Sequence, residues 1–194
     1  NVTLTLPADS AILSFDPLDG ESRAYDNQDG AVTSHGTNGL QLNVLTLEVW
    51  TKINSADTYD GLVAYGNAVG GSESGYGFVY FNGLWRFFLV TDNMSQNSWE
   101  SNPATSIQNG VWTHLAGTYD RLEEEIKLYK DGVLVNSSDQ TGYVNYTNVS
   151  DISDSLYVGK FLNDADDNYF HGYVSEVRIW NYARSQEEIA GFRS

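Results

Sequence analysis

Between Val111 and Val135 the chain reads VWTHLAGTYDRLEEEIKLYKDGVLV, and the Asp131-Gly132 pair inside it constrains the fold more than any other feature. A two-residue turn that matches the twist of its flanking strands needs φ > 0, which aspartate tolerates and glycine adopts freely. Its flanks, Ile126–Lys130 and Val133–Val135, are rich in β-branched, aromatic and aliphatic residues. Counting outward from the turn pairs Lys130 with Val133, Tyr129 with Leu134 and Leu128 with Val135. Leu128 and Val135 then share one face, and Tyr129 and Leu134 the other. A second turn of this kind, Asn82-Gly83, pairs Phe81 with Leu84, Tyr80 with Trp85, Val79 with Arg86 and Phe78 with Phe87. Leu45 to Ile53 alternates, with Leu45, Leu47, Val49 and Ile53 on one face and Glu48, Trp50 and Lys52 on the other. The pattern predicts an all-β protein.

Several of these stretches carry more than strand character. Trp112–Asp120 followed by Lys127–Gly132, then Leu156–Gly159 and Gly172–Asn181, resemble the signature of laminin G-like domains with a concanavalin A-like jelly roll. Leu47–Trp50 resembles the early strand of that family, and Ser185–Ile189 its closing short helix. The helix also has a local basis, because Ser185 with Glu188 forms a capping box. The resemblance runs from Leu40 to the end of the chain. It implies a two-sheet antiparallel sandwich with one short C-terminal helix, and it turns the Trp85/Phe87/Leu89 face inward. The family includes lectins, adhesin modules and modules attached to enzymes.

A chain of 194 residues is read as one domain, since sandwiches reach ~200 residues as single units. Residues 1–10 serve as a linker or a first strand, with Val2/Leu4/Leu6 and Ile12/Leu13/Phe15 separated by a turn at Pro7–Ser10. Asp16 to Gly39 is predicted as a rim loop with short strand pieces. The sequence contains no cysteine, which removes disulfides and thiolate metal sites but leaves secretion open. No apolar run approaches the ~20 residues of a membrane span, and the first residues lack a signal-peptide pattern. The start at Asn1 reads as that of a mature or excised module. Acidic residues number 26 against 10 basic ones, a formal charge of −16. Such a surface repels nucleic acid and anionic membrane. A neutral glycan, or an anionic one bridged by calcium, is the expected partner.

The motifs argue against catalysis. Jelly-roll glucanases set carboxylates at alternate strand positions as Glu-x-Asp-x-x-Glu, so that a pair flanks the glycosidic bond. Here Glu123–Glu125 are consecutive beside a turn, and Asp151 and Asp154 sit in a serine-rich turn. The arginine-glutamate and glutamine-histidine motifs of alginate lyases are missing. His35, His114 and His171 lack metal-ligand spacing, and His114, inside a strand motif, reads as packed.

Calcium takes six to eight oxygen ligands from adjacent loops. The expected ligands are Asp16, Asp19, Asp26 and Asp29 in one acidic loop and Asp164 and Asp166 in another. The resemblance places calcium at the sandwich rim, although Ser175 stands where the family commonly has an aspartate. Sugar recognition requires ring faces with polar groups beside them. Trp50, Trp85, Trp112 and Trp180 fall in strand patterns and read as core. Trp99, Tyr59 and Tyr169 are loop aromatics, and with Asn97 and Asp167 they are the expected ligand-binding set.

The resulting expectation is an extracellular or cell-surface carbohydrate-binding module of a larger protein, an adhesin or a polysaccharide-degrading enzyme. The alternative is a protein-binding or spacer module that docks a neighbouring domain on its Phe81/Leu84/Phe88 face. A divergent jelly-roll hydrolase or lyase stands third. The Asn-x-Ser/Thr sequons at Asn136, Asn145 and Asn148 would matter only in a eukaryotic secretory route.

Overall fold

The computed structural model describes residues 2–3, 13–15, 23–25, 31–32, 38–56, 59–67, 74–94, 100, 102–146, 156–160 and 169–191. Within them the strands are β1 (Val2–Thr3), β2 (Leu13–Phe15), β3 (Arg23–Tyr25), β4 (Ala31–Val32), β5 (Val44–Ser55), β6 (Tyr59–Asn67) and β7 (Ser74–Phe81). They continue as β8 (Leu84–Leu89), β9 (Ala104–Thr105), β10 (Trp112–Asp120), β11 (Glu125–Lys130), β12 (Val133–Asp139), β13 (Leu156–Val158) and β14 (His171–Trp180), and helix α1 (Gln186–Gly191) follows. One antiparallel sheet runs β1-β2-β14-β5-β10-β11-β12, with β3 also pairing β14; the other runs β4-β13-β6-β7-β8-β9. This is the predicted two-sheet architecture with its short C-terminal helix.

Both glycine turns form as the sequence dictates. Asn82 and Gly83 have φ of 51° and 81°, and Asp131 and Gly132 have φ of 51° and 75°. The β7–β8 register pairs Phe81 with Leu84, Tyr80 with Trp85, Val79 with Arg86 and Phe78 with Phe87, as expected. The β11–β12 hairpin begins in the predicted register, but a bulge between Leu128 and Tyr129 then pairs Leu128 with Asn136. Val135 is therefore the extra residue of the bulge. It does not share a face with Leu128, and it is exposed.

Side chains from the two inner faces fill the space between the sheets. Leu45, Leu47, Val49, Ile53, Leu115 and Leu128 meet Tyr65, Tyr76, Phe78, Trp85, Phe87 and Leu89 in one buried cluster. The Trp85/Phe87/Leu89 face is thus the inward one. The buried Tyr76 hydroxyl is satisfied by donating to the Leu40 carbonyl at 3.0 Å.

One face of a sandwich strand is commonly solvated, but the outer face of β5 is not around Glu48. Thr46 and Glu48 are as buried as Leu47 between them. The chain after β14 folds back over them. The Arg184 guanidinium pairs with Glu48, and its backbone N–H donates to Thr46 Oγ1 at 2.9 Å. His114 Nε2 lies 3.3 Å from the other Glu48 oxygen, and the Arg184 guanidinium stacks 4.3 Å from the Trp180 ring centroid. His114 is packed, as its place in β10 predicted. The capping box forms in both directions: Ser185 N–H donates to Glu188 Oε2 at 2.7 Å and Glu188 N–H to Ser185 Oγ at 3.2 Å. Ile189 then packs with Ala116 and Tyr129 on the same outer face.

Candidate functional site at the rim of the six-stranded sheet

Of the residues expected to bind ligand or metal, Tyr59 and Tyr169 are described. Trp99, Asn97, Asp167, Asp16, Asp19, Asp26, Asp29, Asp164 and Asp166 lie outside the described residues. The strands and turns that carry the two tyrosines are neighbours despite their separation in sequence. Tyr59 opens β6, and two residues on, Gly61 forms a parallel bridge with Tyr169. Tyr169 also bridges Lys160, just beyond β13. The Lys160 ammonium sits 5.5 Å from the Tyr169 ring centroid and 5.4 Å from that of Tyr157. Tyr157 pairs with Ala64 of β6, which places its ring on the outer face of this sheet.

Tyr59 and Tyr169 are both half-buried. Tyr59 packs against Phe81 with ring centroids 4.9 Å apart. Burial, followed by the nearby Glu100 carboxylate, raises the Tyr59 hydroxyl above its ordinary value, so it stays a neutral donor across the physiological range. Ring faces beside a cation and a neutral hydroxyl suit a polyol. Apolar sugar faces stack on the rings, and hydroxyl oxygens accept from the ammonium. No local pattern singles out Lys160 or Tyr157. A lysine directly after a strand, facing a loop tyrosine nine positions later, becomes a signal only once β6 and β13 are known to pair.

The apolar outer face of the β7–β8 hairpin is covered. Phe81 and Phe88 are buried with Ala64, Val79 and Val90, and Tyr59 and Met94 pack onto them. Leu84 is half-buried at the hairpin end. Arg86 Nη1 donates to the Asn102 carbonyl at 3.1 Å, and Asn102 Nδ2 to the Leu89 carbonyl at 2.8 Å. Among the described residues after β8, Met94 packs onto this face and Asn102 is tied to Arg86 and Leu89, so the face a neighbouring domain would have used is buried.

Two tryptophans read as core are not. Trp85 and Trp180 are buried, but Trp112 is 39% exposed and Trp50 half-buried, both on the outer face of the eight-stranded sheet. Alternation located these residues on strands correctly. It could not say which stretch of the outer face the C-terminal segment covers. Among the described residues no group of three or more His, Asp or Glu side chains is placed to hold a metal ion, and no helix is long and apolar enough to cross a membrane.

Solved structures share the fold at low sequence identity. A putative carbohydrate binding protein from Bacteroides ovatus ATCC 8483 superposes with a TM-score of 0.65 at 18% identity, over 87% of this chain and 45% of that one. The CBM40 of the Ruminococcus gnavus IT-sialidase, bound to α2,3 sialyllactose, superposes with a TM-score of 0.61 at 16% identity, over 86% of this chain and 97% of that one. The binding domain of botulinum neurotoxin serotype G gives 0.65 at 12% identity, over 94% of this chain and 50% of that one. The chain thus spans about half the length of the first and third of these. No curated protein matches it in sequence. A laminin G family model, described as the concanavalin A-like lectin/glucanases superfamily, matches residues 26–190. With the sheets, the hairpin turns and the capped helix all in the family's order, the chain belongs to the concanavalin A-like lectin/glucanase superfamily.

Proposed function

We propose that this chain is a non-catalytic carbohydrate-binding module of a larger secreted or cell-surface protein, an adhesin or a polysaccharide-degrading enzyme. The observation that carries the reading is the rim where Lys160 stands between the rings of Tyr157 and half-buried Tyr169, with Tyr59 two residues from the Gly61 that bridges Tyr169. The lectin-type family and the carbohydrate-binding domains of the same fold support it. A binding role is favoured over hydrolysis because the chain lacks the Glu-x-Asp-x-x-Glu spacing that sets two carboxylates about one glycosidic bond. A neutral glycan fits the strongly acidic chain best, with an anionic one held through calcium as the second form. Trp99, Asn97 and Asp167 belong to the proposed contact set.

Tyr169→Ala and Trp99→Ala are each expected to weaken binding on a glycan array by about tenfold, the loss of one stacked ring. The midpoint of thermal unfolding should stay unchanged. Tyr59 is the poorer probe, because its ring also packs on Phe81. Undiminished binding in both variants would move the site off this rim, and an array with no hits would remove the carbohydrate reading.

Calcium belongs to the same proposal, with Asp16, Asp19, Asp26, Asp29, Asp164 and Asp166 as its ligands. Millimolar calcium should then raise the melting temperature by the mass-action stabilisation of a bound native state. Calorimetry showing no uptake at that concentration removes the ion from the proposal.

A further inference from the structure

The outer face of the eight-stranded sheet is divided in two. At one end the segment from Trp180 to Ile189 covers it, with Arg184 over Glu48 and Ile189 over Ala116. At the other end three strands in register present a row of large side chains. Trp112 of β10 is paired with Lys52 of β5, and Lys52 with Tyr173 of β14. Cross-strand partners point to the same side of a sheet. The rings of Trp112 and Tyr173 accordingly approach to 6.3 Å between centroids, inclined at 52°. The Lys52 ammonium stands 5.6 Å from the Tyr173 centroid. In the next row inward, Trp50 pairs with His114 and Ser175, and its ring lies 5.3 Å from the imidazole. Trp50 is thus held from below while the outer row stays open, with Trp112 39% exposed.

From this arrangement we propose a second sugar-binding surface, in which the exposed Trp112 ring, braced by Tyr173, stacks on one pyranose ring and Lys52 donates to its hydroxyls. It builds on the carbohydrate-binding reading but uses the opposite sheet from the Tyr59/Tyr169 rim. The size of the patch selects the ligand. An aromatic side chain presents roughly 150–250 Å² in all, so the partly exposed Trp112, Tyr173 and Lys52 offer on the order of 200 Å², well short of the ~800 Å² per partner of a stable protein interface. One or two sugar rings match that area. The chemistry agrees, because a pyranose has an apolar face for the Trp112 ring and rim hydroxyls for an ammonium, Ser175 and Tyr173.

The test uses the full chain with ¹⁵N-labelled indoles, titrated separately with cellohexaose, xylohexaose and mannohexaose. The Trp112 indole signal, assigned with Trp112→Phe, should shift with at least one of them, and the buried Trp85 and Trp180 signals should not. Trp112→Ala should weaken that binding about tenfold, while Tyr169→Ala leaves the Trp112 shift intact. A Trp112 signal that none of the three oligosaccharides moves overturns the proposal. So does a Trp112 shift that Tyr169→Ala abolishes, which would assign all binding to the rim. Sedimentation showing a dimer that Trp112→Ala dissociates overturns it as well, giving the face to a second copy.

Discussion

Arg184→Ala is expected to destabilise the protein by about 3–5 kcal/mol, the range for removing one partner of a buried ion pair. For a domain of this size that corresponds to a fall in melting temperature on the order of 10 °C. Several interactions end together. Glu48 loses its guanidinium while remaining buried, the Trp180 ring loses its stacked cation, and the Glu188 carbonyl loses the Arg184 Nη2 donor at 2.8 Å. Arg184 links β5, the β14 exit and α1, so the C-terminal segment should loosen with it. Replacing both charges by apolar residues, Glu48→Leu with Arg184→Met, should cost much less than the sum of the single changes, because no uncompensated charge stays buried. A double variant as unstable as that sum would place the anchoring in the packing of the segment and not in the ion pair.

The same carboxylate sets a pH dependence. Burial alone would raise the Glu48 pKa, but the His114 hydrogen bond and the Arg184 charge outweigh it and hold the group below the ordinary carboxylate range. A depressed folded value means that its contribution is complete above the unfolded value of ~4.3 and is lost as pH falls through the lower folded one. The wild-type chain should therefore lose stability more steeply below about pH 4 than Glu48→Gln, whose contribution no longer titrates.

What the sequence revealed and what it hid have physical causes. The turns at Asn82-Gly83 and Asp131-Gly132, the β7–β8 register and the Ser185/Glu188 box depend on residues within a few positions of one another, and all were legible. The bulge at Leu128/Tyr129 was not, since inserting Val135 into the ladder alters neither composition nor alternation. Glu48 was placed on the correct face, but its burial depends on Arg184, 136 positions away. Trp112, Lys52 and Tyr173 share a row only because β10, β5 and β14 are neighbours in that order, which no local pattern encodes. For the candidate site, Tyr59 was expected in a loop but opens β6 and pairs with Phe81, because the ladder with β7 extends two residues beyond the apolar run that marks the strand. The bridge between Gly61 and Tyr169 was not legible, since it joins positions more than a hundred residues apart.

Gly117→Ala is expected to be nearly as damaging as the loss of Arg184, although it adds one methyl group. Gly117 sits in the middle of β10, opposite Leu47 and Leu128, on the face turned toward the six-stranded sheet. The Phe87 ring of β8 crosses the interior and lies directly over it. A Cβ at Gly117 would fall 2.5 Å or nearer to three atoms of that ring. The ring has nowhere to retreat, because Phe87 is fully buried and its centroid is already 5.3 Å from that of Phe78. Overpacking of a close-packed core costs about 1–3 kcal/mol, and a clash with a confined ring belongs at the upper end. The glycine between Ala116 and Thr118 is thus the socket for a knob from the opposite sheet. Shrinking the knob should relieve the strain. Phe87→Leu by itself opens a cavity and destabilises, but combined with Gly117→Ala it should give a double variant more stable than the two losses added together. The expected coupling is about 1–2 kcal/mol, within the range for residues in direct contact. Additive losses in chemical denaturation would show that the sheets separate to admit the methyl group, and that this glycine does not set their spacing.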